Sequence, residues 1–460
     1  MAPLFISLGF GLLAFAVALL AGVRCAFRWT YLPMLFCVPE SIHAVINGIP
    51  DLSPQRAALY GLVVGAALRG EAWRLVPKWR GFDTFVLVII LSFSTSYGLE
   101  TDPKGFLHRL IRLTLDWGGP YLLTRACLPD WEELRKALVP LSIGMSLCAL
   151  ATIAECRLAT RVSTTFWNSL GADLRVVPHY WGFRWGYLRA AGIYDHPIMA
   201  GSIFASLALL LLSLGWLNPV HRPMAIVASG LCALACIASI SRGPMLALAC
   251  VLLGFGLLRI RMRGILGVLL VMGVCVFPFA MERLSQEWQA TQQLVDETGN
   301  TAAESGRYRL AILMIYGDKI MEAGFFGGLA SLELDEHLQD AWSVDNSYVF
   351  LLLMGGWIGG GLFIIFVIAV FAKGVATLRA ARGGAYRIPR ELVFLSFCAI
   401  IFSLTNVFFA TNLGYVFWVS AALVLNSPVA ATPRIRSTVR NTGRGPFLPI
   451  QTPGRGRRTP

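Results

Sequence analysis

Charge is what this chain has least of. Only 14% of its 460 residues are Asp, Glu, Lys or Arg, against about 25% in soluble domains. A shortage on that scale excludes an ordinary water-soluble globule. No G-x-x-x-x-G-K-[ST] and no dinucleotide fingerprint occurs, so nucleotide hydrolysis is not expected. No H-E-x-x-H or acidic cage occurs, and none of the six histidines has ligand spacing to another, which predicts a site without metal or other cofactor. The ten cysteines follow no disulfide or metal spacing, and Cys232 and Cys236, one helical turn apart, read as small packing residues. Neither Lys nor Arg precedes the first apolar run and no small-residue cleavage pattern follows it. That run is therefore expected to be retained rather than removed as a signal peptide.

Long apolar stretches are what the chain has in their place. Hydrophobic residues make up 56% of it, and runs of roughly 20 residues, enough to cross about 30 Å of hydrocarbon, recur along its length. They are continuous rather than alternating, which predicts helices and not a barrel. Thirteen runs lie near 4–23, 30–48, 55–69, 82–99, 106–127, 135–155, 195–217, 223–241, 244–259, 264–281, 345–371, 391–408 and 411–426. The second is the most interrupted, by Pro33, Pro39, Glu40 and His43. The expected fold is all-α, a polytopic transmembrane bundle of about 12–14 spans with two long periplasmic loops. Its divisions would be spans over 1–155, a first long loop 156–194, central spans 195–281, an acidic loop 282–344, spans over 345–428, and a basic, disordered tail 429–460.

The net charge of +13 does not point to nucleic acid, because the basic residues fall mostly in short gaps between runs. One set of gaps carries Arg24, Arg28, Arg69, Arg74, Lys78, Arg80, Arg125, Arg135, Lys136, Arg222, Arg259, Arg261, Arg263, Lys373, Arg379, Arg382, Arg387 and Arg390, while the alternate short gaps hold only Lys104. This positive-inside pattern predicts an inner-membrane protein with its amino terminus outside and its tail in the cytoplasm. The two long outside loops differ in kind. Loop 156–194 is aromatic and basic; loop 282–344 has eleven acids against Arg283, Arg307, Arg309 and Lys319.

Residues that could carry chemistry collect at the outer ends of the runs. Arg242 sits in SISRGPMLAL, where the positive-inside bias does not ask for an arginine and Gly243-Pro244 would turn the chain sharply. Its guanidinium fork suits phosphate oxygens, and snorkelling to headgroups is the plain alternative. Arg307 opens YRLAILMIYGDKIMEAG, a short amphipathic helix ended by Gly324, with Arg309 as a more solvated neighbour. An arginine in a first helical turn opposes the dipole, so an anionic ligand or an acid of the same loop should hold it. Asp345 and Asn346 stand where a span begins. A plain N-cap is one role there; a half-desolvated carboxylate acting as general base is the other. Arg189 precedes Asp195-His196-Pro197 at the start of another run, where His196 could shuttle a proton or simply begin a helix.

In order, SISRGPMLAL, a span pair, SGRYRLAILMIYGDKIMEAGFFGG and VDNSYVFLLLMGGWIGGGLF resemble the O-antigen ligase and polysaccharide polymerase superfamily over roughly residues 189–366. The resemblance implies a polytopic bacterial inner-membrane glycosyltransferase. Such an enzyme takes a glycan from undecaprenyl diphosphate at the periplasmic face and passes it to a sugar hydroxyl on a growing polysaccharide. It also implies a flippase and a chain-length regulator as further partners. Arg242 and Arg307 match the family's two diphosphate-binding arginines. Asp345 stands where ligases carry a histidine in a His-Asn pair, which turns the expectation from ligase toward an exopolysaccharide polymerase. Arg189, Arg309, Asn346 and His196 would line the substrate. A transporter of lipid-linked glycans is the rival from another class. It should show charges deep within spans, and Asp116 with Arg109 and Arg112 is the group that keeps it open.

Overall fold

The computed structural model describes residues 2–45, 50–172, 174, 183–184, 186–259, 316–328, 346–380, 386–405, 407, 409 and 411–427. The run 264–281 and the tail 429–460 lie outside them. Within them the chain is all-α apart from one two-stranded ribbon. Five helices are long and apolar enough to cross a membrane: α1 (Ala2–Ala21), α5 (Gly81–Glu100), α9 (Leu138–Leu158), α11 (Pro197–Leu217) and α15 (Ser347–Ala380). Other helices over the apolar runs are α4 (Pro54–Leu68), α12 (Arg222–Ala238), α13 (Arg242–Arg259), α16 (Arg387–Ser403) and α17 (Thr411–Asn426). Short elements complete the path: α2 (Val23–Ala26), α3 (Leu32–Cys37), α6 (Pro103–Leu113), α7 (Gly119–Cys127), α8 (Trp131–Arg135), α10 (Val162–Ser169), the ribbon β1 (Phe183–Arg184) and β2 (Tyr187–Leu188), and α14 (Gly317–Glu322).

Helix α11 is the post around which the rest packs. Nearly all of it is buried, and it is hydrophobic on every side, as a fully enclosed helix must be. Its few polar groups are serines whose hydroxyls are satisfied within the bundle. Ser206 donates to the Ser396 carbonyl at 3.0 Å and Ser213 to the Pro389 carbonyl at 3.0 Å. Those two bonds set α11 antiparallel to α16.

Prolines reshape two of the expected helices. The run expected at 30–48 is helical from Val23 to Cys37 through a π-turn at Phe27–Tyr31, and ends ahead of Pro39. Proline lacks the N–H that closes an α-turn, and the wider π-turn just before Pro33 absorbs the mismatch. The run at 106–127 keeps its place, joining α6 to α7 through a similar π-turn at Thr114–Gly118 ahead of Pro120.

The basic gaps gather at one end of the bundle. Arg28 pairs with Glu133, and Arg69 and Arg74 pair with Glu71, whose carboxylate also accepts Val23 N–H at 3.1 Å. Arg80 donates to the Leu425 carbonyl, Arg125 reaches Asn426, and Trp131 stacks on Tyr386. The opposite end collects the ends of α3, α9, α12 and α16 and the starts of α11, α13 and α15. Tyr194 Oη donates to the Phe36 carbonyl there, Gly192 N to Glu155, and Ser347 N to the Leu404 carbonyl.

Helix α15 is broken. Gly356 leaves the helical region (φ 59°, ψ −164°), which only glycine does cheaply. The segment Gly324–Gly328 lies against the break and takes over its backbone bonds. Trp357 N donates to the Gly324 carbonyl at 3.0 Å, Ile358 N to the Phe325 carbonyl at 3.0 Å, and Gly328 N to the Leu353 carbonyl at 2.9 Å. Gly327, at φ 66°, lies so close that a Cβ on it would meet Gly356 N and the Leu353 carbonyl.

Candidate active site

The corner between α12 and α13 is the best-defined polar feature of the non-basic end. Ile240 has a left-handed backbone (φ 47°), a true outlier for a β-branched residue. Such strain persists only where neighbours over-determine it, and here they do. The Ile240 carbonyl accepts Arg184 Nη1 at 3.2 Å, the Ala238 carbonyl accepts Ala190 N at 3.2 Å, and Ser239 Oγ donates to the Cys236 carbonyl at 2.7 Å. Arg189 Nη2 lies 3.3 Å from Ser241 Oγ, beside exposed Arg242. Three arginines, at 184, 189 and 242, thus converge on one turn.

The sharp bend expected at Gly243-Pro244 is instead at Ile240. Gly243 and Pro244 lie within the first turn of α13, where a missing proline N–H costs nothing because the first four are unpaired anyway. Pro244 packs against the start of α11, where a Cβ on Gly201 would sit 2.9 Å from it.

A buried carboxylate steadies this arrangement from below. Glu155, fully buried near the end of α9, accepts Ser163 N at 3.0 Å and Gly192 N at 2.9 Å, and Arg161 Nη1 lies 3.7 Å away. The same Arg161 Nη1 donates to the Arg189 carbonyl at 3.1 Å. The chain Glu155–Arg161–Arg189–Ser241 therefore fixes both ends of the loop that carries Arg189. Sequence reasoning missed Arg184 and Glu155. The signal for Arg184 is Phe-Arg-Trp-Gly-Tyr-Leu, a hairpin pattern with its glycine in the turn (φ 80°).

The remaining expected residues divide. His196 is the N-cap of α11, its Nδ1 accepting Ile198 N at 3.1 Å, so the helix-start role is the one the geometry gives it. Asn346 caps α15, its Oδ1 accepting Tyr348 N at 3.0 Å and Val349 N at 3.3 Å. The capping role weighed for this pair is thus filled by Asn346. Arg307, Arg309 and Asp345 themselves lie outside the described residues. Of the helix expected after Arg307, the described part is α14, whose Ile320 is buried and Met321 exposed; Gly324 follows in the left-handed conformation (φ 65°), as a helix stop requires. Ahead of α11, Asp195 is exposed, yet protein atoms crowd its carboxyl. That loss of water raises its pKa, while the Ser41 hydroxyl and nearby His43 pull it back.

Asp116, the carboxylate of the group that keeps a transport path open, is locked. Arg56 grips it with both arms of the fork, Nε to Oδ1 at 2.8 Å and Nη2 to Oδ2 at 2.6 Å, and Arg56 Nη1 donates to the Asp51 carbonyl at 2.5 Å. Among the described residues no group of three His, Cys, Asp or Glu could hold a metal ion. Comparison of the sequence with protein-family models and with curated proteins finds no match.

Proposed function

We propose that the chain is a membrane-embedded glycan polymerase. It would act at the periplasmic face on a glycan linked to undecaprenyl diphosphate and pass it to a sugar hydroxyl of the growing polymer. The observation that carries this reading is the convergence of Arg184, Arg189 and Arg242 on the strained corner at Ile240. Guanidinium forks held at a membrane-proximal surface suit the twin phosphates of a lipid carrier. Placing this corner opposite the basic gaps agrees with a periplasmic site under the positive-inside rule.

In the proposed reaction the acceptor hydroxyl attacks the anomeric carbon, a new glycosidic C–O bond forms, and the bond to the diphosphate breaks. Arg242 and Arg307 neutralise charge growing on the departing diphosphate, as a divalent cation does elsewhere. Asp345 takes the hydroxyl proton. The carrier already holds the bond energy, so what the protein supplies is positioning and charge screening.

The rival transporter reading loses its strongest support with Asp116, because a carboxylate already gripped by Arg56 offers no vacant ligand for cargo. Analysis of glycans in a deletion strain tests the proposal. Loss of long polymer with single repeats retained is the expected result. Full-length polymer accumulating on the carrier would make the protein a ligase, and material stranded in the cytoplasm would make it a flippase.

A further inference from the structure

Helix α6 carries a row of basic residues that the proposed reaction does not use. Lys104, His108 and Arg112 are spaced four apart, so they stand one above another on a single face. Arg109 lies beside them, its guanidinium 5.6 Å from the centre of the Tyr97 ring and its Nε buried without a hydrogen-bond partner among the described residues. Lys104, Leu107, His108 and Ile111 are exposed, so this face opens outward from the hairpin that α6 makes with α5. Gly98 meets Phe106 in that hairpin, which leaves Lys104 near the non-basic end.

The acids near the row are few and engaged. Asp102 Oδ1 accepts Gly105 N at 2.6 Å as the α6 cap, and Glu100, at the end of α5, packs against Gly328. At the far end Asp116 faces Arg112 at 3.7 Å, but both its oxygens are held by Arg56. Among the described residues His108 and Arg109, midway, form no ion pair.

We propose that this face binds an anionic diacyl phospholipid, its phosphate between Lys104 and His108 and its acyl chains along Leu107 and Ile111. The charge is complementary, and the apolar residues interleaved with the cations match a ligand that is charged at one end and hydrocarbon at the other. The exposed face admits its occupant sideways from a bilayer. This inference rests on α5 and α6 lying in a membrane and is independent of the proposed chemistry at Arg242.

The test is lipid binding by the full-length protein in neutral detergent, titrated with fluorescent phosphatidylglycerol or fluorescent phosphatidylcholine. Wild type should prefer phosphatidylglycerol, and Lys104→Gln with His108→Gln should weaken that binding about tenfold, given the attraction of each basic residue for anionic headgroups. Both side chains are exposed, so the melting temperature should stay put. His108→Arg, which keeps the row and puts a guanidinium at its middle, should bind at least as tightly as wild type. Equal binding of the two lipids by wild type, unchanged binding by the double variant, or weaker binding by His108→Arg would overturn the proposal. So would displacement of phosphatidylglycerol by undecaprenyl phosphate at lower concentration than by unlabelled phosphatidylglycerol, which would make the carrier the occupant.

Discussion

Asp116→Leu should be among the most damaging single substitutions in the bundle, and a second substitution should repair it. The Arg56 and Asp116 side chains are only 7% and 4% exposed. Removing the carboxylate deletes two charge-assisted hydrogen bonds and leaves a guanidinium buried with the Asp51 carbonyl as its main partner. Breaking a buried pair in this way costs about 3–5 kcal/mol, chiefly through the stranded charge. Arg112 adds little, because its side chain is 43% exposed and turns to solvent. Replacing both partners, as Arg56→Met with Asp116→Leu, removes the stranded charge and should come within about 1 kcal/mol of wild type. The assay is unfolding by SDS in mixed micelles followed by tryptophan fluorescence, since Trp117 packs beside the pair and against Trp418 at 5.7 Å. The double variant should also still make polymer. A single-variant loss below about 1 kcal/mol, or a double variant no better than the single, would refute the reasoning. A stable double variant that makes no polymer would move Asp116 from support to function.

Three further outcomes are expected. Gly327→Ala forces a Cβ into the backbone of α15 at a positive φ and should abolish folded yield in detergent chromatography, whereas Gly361→Ala, with open space around it, should be neutral or slightly stabilising. Glu71 is held below the usual glutamate pKa by the Val23 N–H and by Arg69 and Arg74. Its contribution to stability should therefore be complete above about pH 4.3 and fade as pH falls through the lower folded value; Glu71→Gln should flatten that part of a melting-temperature profile. Asp345→His should retain part of wild-type polymer yield if the residue accepts a proton, and a dead but folded variant would assign it charge or geometry instead.

Much of the helical layout was legible because apolar runs of membrane length leave few other options. The finer joints were not. Pro33 reads as an interruption and Pro120 passes unmarked within its run, while a π-turn ahead of each carries the helix past it. Asp345 and Asn346 are equivalent as caps on paper, and only the bonds to Tyr348 and Val349 separate them. Arg242 stood out because the charge bias did not explain it. Arg184, one of several cations in an aromatic loop, became visible only through its contact with Ile240. The bonding of Gly324–Gly328 to the broken helix is made by main chain alone, so no side-chain pattern could announce it.

That last junction has a mechanical consequence. Three main-chain bonds tie Gly324–Gly328 to both sides of the break at Gly356, through Leu353 before it and Trp357 and Ile358 after it. The two halves of α15 are therefore held to one five-residue strap, which splints the helix where its own ladder is interrupted.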